Sequence, residues 1–122
     1  MVFIGTQTSV FFITKKGDNP MRRGTTPTIK LKLTGIDLEL LKDVFVTFQQ
    51  GSFELTKTGD EVTIDTDNAV IKVVLTEEET LKFRANPAAV QIRAVTKDDS
   101  VIASTIKNIN IGDVLYEEVI GE

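Results

Sequence analysis

The chain has 122 residues, enough for one ordinary domain and too few for a catalytic domain beside a separate binding domain. A hydrophobic share of 41% and a charged share of 26% suit a core that folds without a disulfide or metal staple. The absence of His and Cys excludes imidazole- and thiolate-based nucleophiles and zinc, haem or iron–sulfur sites built on those ligands, and a formal net charge of −4 disfavours nonspecific binding to nucleic acid.

Residues 2–15 form a strand-like stretch with Val10, Phe11, Phe12 and Ile13 apolar, set apart by Lys16-Gly17-Asp18-Asn19-Pro20. Residues 1–20 therefore read as an arm or extension, and residues 21–122 as a single domain. Such an arm has two homes: the edge of its own sheet, or a neighbouring subunit to which it adds a strand.

The domain itself alternates at period two, rich in Val, Ile, Thr and Phe, with turn residues at about eight- to twelve-residue intervals. Over 28–33, Ile29, Leu31 and Leu33 fall on one face and Lys30 and Lys32 on the other, as a half-buried strand requires. Residues 43–50 align Val44, Val46 and Phe48; Gln50-Gly51 then turns the chain into 52–56, where Phe53 and Leu55 share a face, predicting a hairpin. Thr58-Gly59-Asp60 leads to 61–65, and Asp67-Asn68 turns into 69–75, predicting a second hairpin. Residues 76–83 break the pattern. Thr76 with Glu79 makes a capping box, and acidic residues fill the first turn, so one or two helical turns are expected, with Leu81 and Phe83 plugging the open end of the core.

After Asn86-Pro87, residues 88–96 alternate again, Lys97-Asp98-Asp99-Ser100 turns, and 101–111 returns in a long hairpin expected to lie centrally in a sheet. Ile106, Ile109 and Ile111 cannot share one face without a bulge or crossover. The acidic tail 114–122, with Val114, Leu115, Val119 and Ile120 apolar, reads as a closing strand or a short docked helix. The predicted class is all-β: an immunoglobulin-like antiparallel β-sandwich of about seven strands with one short helix near residues 77–83, a small barrel being the rival.

Candidate chemistry is sparse. Asp60, Glu61, Asp65 and Asp67 bracket one short strand, but Val70 and Thr76 stand where a calcium loop needs Gly and Glu, so these read as turn carboxylates. No pair of carboxylates is singled out for glycoside chemistry, and no catalytic, cofactor-binding or metal-ligating residue is assigned. Trp is absent, Tyr occurs once and the Phe residues mostly sit in apolar alternation, which leaves few stacking platforms for single strands or sugars. Apolar runs are far too short to span a membrane, so neither a membrane nor nucleic acid is expected as a partner. The loop Arg22-Arg23-Gly24-Thr25-Thr26-Pro27-Thr28 could clamp an anion but lacks the Lys and following helix of a phosphate loop, and reads as a structural lead into the first strand, with Arg22 or Arg23 placed to pair across an interface. The candidate interface residues are Arg22, Arg23, Phe11, Phe12, Leu115 and Tyr116.

Met21-Arg22-Arg23-Gly24-Thr25-Thr26-Pro27-Thr28, Lys42-Asp43-Val44-Phe45-Val46-Thr47-Phe48, Leu75-Thr76-Glu77-Glu78-Glu79-Thr80-Leu81-Lys82-Phe83, Val90-Gln91-Ile92-Arg93-Ala94 and Ile111-Gly112-Asp113-Val114-Leu115 together resemble small prophage-encoded structural proteins of Gram-positive bacteria. The likeness spans roughly residues 21–120, and is looser to the amino-terminal domain of phage baseplate upper proteins. Those proteins typically begin near Met21, so residues 1–20 depart from the pattern. The resemblance implies a β-sandwich without catalysis, made in the bacterial cytoplasm and placed in a virion as a tail or baseplate component. Its implied partners are other phage structural proteins and copies of itself. An immunoglobulin-like binding module for a cell-surface glycan or protein is the alternative.

Overall fold

The computed structural model describes residues 9–10 and 21–121. Its strands are β1 (Ser9–Val10), β2 (Met21–Arg22), β3 (Thr28–Thr34), β4 (Leu41–Gln50), β5 (Phe53–Thr58), β6 (Val62–Asp65), β7 (Val70–Val74), β8 (Ala88–Thr96), β9 (Val101–Ala103), β10 (Lys107–Ile109) and β11 (Ile111–Gly112), with helix α1 (Glu77–Leu81) between β7 and β8. One sheet runs β1-β3-β7-β6; the other runs β10-β8-β4-β5, with β9 also on β8. The two orders match the two halves of an immunoglobulin-like sandwich, with the helix on the connection that crosses between sheets. A third, two-stranded sheet pairs β2 with β11, and among the described residues the sheets remain separate and no barrel closes.

Alternation explains the packing. Ile29, Leu31 and Leu33 of β3 and Ile71 and Val73 of β7 point into one core with Val44, Val46 and Phe48 of β4 and Val90, Ile92 and Ala94 of β8. The first predicted hairpin closes with Gln50 opposite Phe53 across Gly51-Ser52, where Gly51 has φ 59°. The second closes with Asp65 opposite Val70, as Asn68 binds the Asp65 carboxylate through its backbone N–H at 3.2 Å and its amide nitrogen at 2.9 Å. Helix α1 begins at Thr76, whose hydroxyl accepts from Glu79 N at 3.1 Å while Glu79 Oε1 accepts from Thr76 N at 2.8 Å. Phe83, just past the helix, is fully buried and stands edge-on to Phe48 (centroids 6.2 Å) and Phe53 (4.9 Å). Leu81 does not join it in the core: it is half-buried and lies towards Gly24.

Two expectations need correction. Of the C-terminal hairpin only β8 is central, between β4 and the return strand, while β9 and β10 form the sheet edge. The tail is neither strand nor helix from Asp113 to Gly121, because its backbone groups are held by side chains rather than by a ladder. The bulge demanded by the isoleucine spacing is present. Ala103 opposes Arg93 and Lys107 opposes Val90, so three residues of the return strand face two of β8. Ser104 fills the gap: its N–H donates to Ile92 O at 2.8 Å and its Oγ accepts from Ile92 N at 2.9 Å. Ile102, Ile109 and Ile111 turn inward as a result, and Ile106 faces out.

Ser9 and Val10 pair antiparallel with Thr34 and Leu33, so at these two residues the arm meets the edge of its own sheet. Phe11 and Phe12 lie outside the described residues.

Candidate interaction surface

The distinctive arginine loop is built into one end of the sandwich. β2 runs parallel to β11, Met21 beside Ile111 and Arg22 beside Gly112, which brings the loop against the start of the tail. Arg22 Nη1 donates to Asp113 O at 2.7 Å, and its guanidinium covers Gly112 so closely that a Cβ there would come within 3.0 Å of Arg22 Cζ. A side chain at this position would require the guanidinium to give by a few tenths of an ångström. Arg23 reaches three ways: Nη1 to Asp113 Oδ1 at 3.0 Å and Glu117 Oε2 at 3.4 Å, and Nη2 to Leu81 O at the end of α1, 3.1 Å away. A cation at that helix terminus also meets the negative end of the helix. The Asp113 carboxyl is held below its ordinary pKa, first by the Val114 N–H and then by Arg23.

Beneath the arginines sits Thr80, fully buried, whose hydroxyl accepts from Gly24 N at 3.0 Å and Thr25 N at 3.1 Å. Gly24 adopts φ +76°, a conformation that lets the loop turn into this hydroxyl. Nearby, Lys57 Nζ is 2.8 Å from Glu79 Oε1 and 3.6 Å from Glu61 Oε2. Loop, helix and tail are thus tied into one polar knot.

The tail crosses this knot with Val114 half-buried towards Gly24 and its other apolar side chains turned outward. Glu77 accepts from Ile120 N at 2.7 Å and Gly121 N at 2.8 Å, one oxygen for each amide, and Arg23 secures Glu117. Leu115, between the Arg23-bound Asp113 and Glu117, is wholly exposed (103%), with its neighbour Tyr116 at 65% and Ile120, held at its amide, at 75%. Val119 lies over an open groove that it shares with Val74, Leu75 and Thr76. Apolar side chains clustered on a pinned segment mark an interaction surface more than scattered exposure does.

Four of the six candidate interface residues, Arg22, Arg23, Leu115 and Tyr116, therefore gather at one end. Their roles differ: the arginines are engaged within the chain, while Leu115 and Tyr116 face solvent. Sequence reasoning named Val119 and Ile120 only as apolar positions of the tail and did not select Val74, since nothing local in a strand pattern says which apolar residue is left uncovered. Of the acidic residues around β6, Asp65 is engaged by Asn68 and Lys72 and Glu61 by the Thr58 N–H and Lys57, while Asp60 and Asp67 are exposed. Among the described residues, no group of three or more His, Cys, Asp or Glu is placed to hold a metal ion, and no helix is long and apolar enough to cross a membrane.

Set beside known proteins, the chain matches no family model and no curated protein.

Proposed function

We propose that this protein is a non-catalytic structural component of a phage or prophage particle, working in tail or baseplate assembly through contacts with its own copies and with other virion proteins. The observation that carries this reading is the pinned tail, which holds Leu115, Tyr116 and Ile120 in solvent instead of folding them inward. A segment clasped by a carboxylate at one end and an arginine at the other loses little further entropy when a partner covers it, which favours its use as a contact. The sequence likeness to prophage-encoded structural proteins supports the same setting. Of the acidic loop residues that motivate the binding-module alternative, Glu61 and Asp65 are engaged in local bonds, which weakens that reading.

The test is mass spectrometry of density-purified particles after prophage induction in the strain that encodes the chain. Stoichiometric presence beside tail proteins is expected. Particles that contain the tail proteins but lack this chain overturn the reading.

A further inference from the structure

The outer face of the first sheet is positive in a chain that is negative overall. Lys30 on β3 and Lys72 on β7 are direct partners in the antiparallel register, so their side chains leave the same face from opposed positions. Like charges placed this way repel and weaken the sheet they stand on. Lys32 lies on that face two residues further along β3. Asp65, 3.5 Å from Lys72, offsets part of this charge; Lys30 and Lys32 have no ion-pair partner among the described residues. Val74, on the same face of β7, is 54% exposed.

The tail is the complement of this face. From Asp113 onward it carries Asp113, Glu117, Glu118 and Glu122 and no basic residue. Arg23 pairs with Asp113 and Glu117, whereas Glu118 is exposed beside Leu115, Tyr116 and Ile120. The two surfaces adjoin, since Val119 and Gly121 of the tail line one groove with Val74.

We infer that a second copy of this chain covers both surfaces, the tail of each copy lying on the lysine face of the other about a two-fold axis. Two complementary patches side by side on one molecule become self-complementary under a two-fold rotation, which closes the pair. Charge selects an acidic occupant for the lysine face, and the tail is an acidic segment with apolar side chains still to bury. Exposed ion pairs contribute little individually, so burial of Leu115, Tyr116 and Ile120 supplies most of the attraction while Lys30, Lys32 and Lys72 set the orientation. The inference rests on the assembly reading and names the contact that reading requires.

Size-exclusion chromatography with light scattering on the full chain tests it, at about 0.05 M and about 0.5 M salt, across concentration. Variants Lys30→Glu, Glu118→Lys and Leu115→Ser alter exposed side chains, and their melting curves verify folding. The wild type is expected to dimerise, more weakly at high salt, and each variant alone to raise the dissociation constant at least about tenfold. Mixing Lys30→Glu with Glu118→Lys is expected to restore a mixed dimer, because each then meets the opposite charge. A wild type that stays monomeric overturns the inference, as does a dimer indifferent to Lys30 and Glu118. So does a monomer that instead binds polyglutamate through Lys30, which would give the face to a foreign acidic partner. A dimer in solution with no chain in purified particles removes the virion setting alone, so the two failures are distinguishable.

Discussion

The ammonium of Lys57 stands 2.8 Å from Glu79 Oε1 with the lysine side chain only 5% exposed, tying the end of β5 to the first turn of α1. Lys57 falls in phase with Phe53 and Leu55, so the strand directs it inward and the helix supplies its counter-charge. The two partners are not equivalent. Glu79→Ala leaves a buried cation with Glu61 at 3.6 Å as its remaining carboxylate and removes half of the capping box. We expect it to cost about 3–5 kcal/mol in urea denaturation. Lys57→Met keeps the volume, leaves Glu79 able to reach water, and is expected to cost less than about 1.5 kcal/mol. Equal costs for the two substitutions would contradict this account.

Acid should unfold the protein through a small set of carboxylates. Burial raises the Glu79 pKa, but the Lys57 hydrogen bond and the Thr76 N–H outweigh it and leave the value below the ordinary 4.5. Asp98 is lowered chiefly by the Thr96 hydroxyl, and Asp65 chiefly by the Asn68 amide. A carboxyl whose folded pKa is depressed contributes stability that is full above its unfolded value and disappears as pH falls through the folded one. Stability is therefore expected to be flat at neutral pH and to drop on acidification below the ordinary carboxylate values. Glu79→Gln should narrow the gap between urea midpoints measured at neutral and at strongly acid pH. An unchanged gap would remove Glu79 from the explanation.

Thr80 offers a test of hydrogen bonding separated from volume. Its hydroxyl serves the amides of Gly24 and Thr25 and sits within reach of Thr25 O at 2.9 Å and Glu77 O at 3.0 Å. Thr80→Val preserves shape but strands both amides, at an expected cost of about 2–4 kcal/mol. Thr80→Ser keeps the hydroxyl and should cost about 1 kcal/mol for the lost methyl. The order of the two, read from denaturation midpoints, decides whether the bonds or the packing matter more.

Phe83 closes the core from outside any regular element, against Phe48 and Phe53. Phe83→Ala should destabilise by about 3–5 kcal/mol, and Phe53→Ala by less because that ring is only half-buried. Thermal melting of the two variants checks the ranking.

The sandwich was legible wherever burial alternates over several residues. Thr28–Thr34 and Ala88–Thr96 announce themselves through every second side chain, and the capping box announces α1 through two residues three apart. The two-residue strands Met21–Arg22 and Ile111–Gly112 have no period to read, and only their parallel pairing makes them strands. The short helical turn Leu38–Leu40, capped by Asp37, escaped for the same reason. Arg23 stood out locally, yet its partner Asp113 lies at the far end of the chain, and a distance of that kind is set by tertiary packing alone. Lys30 and Lys32 were visible as an outward face, whereas Lys72 opposite them depends on a register that strand sequences do not specify by themselves.

The bulge around Ser104 has a bearing on how copies of the fold can be arranged. It cuts the outermost rim of the second sheet into two runs of three residues, Val101–Ala103 and Lys107–Ile109, with a kink between them. Neither run is long enough to template a foreign strand, so lateral growth of a continuous sheet stops at this border. Any larger architecture that includes this border must be joined there through flat surfaces and the capped extremity of the sandwich.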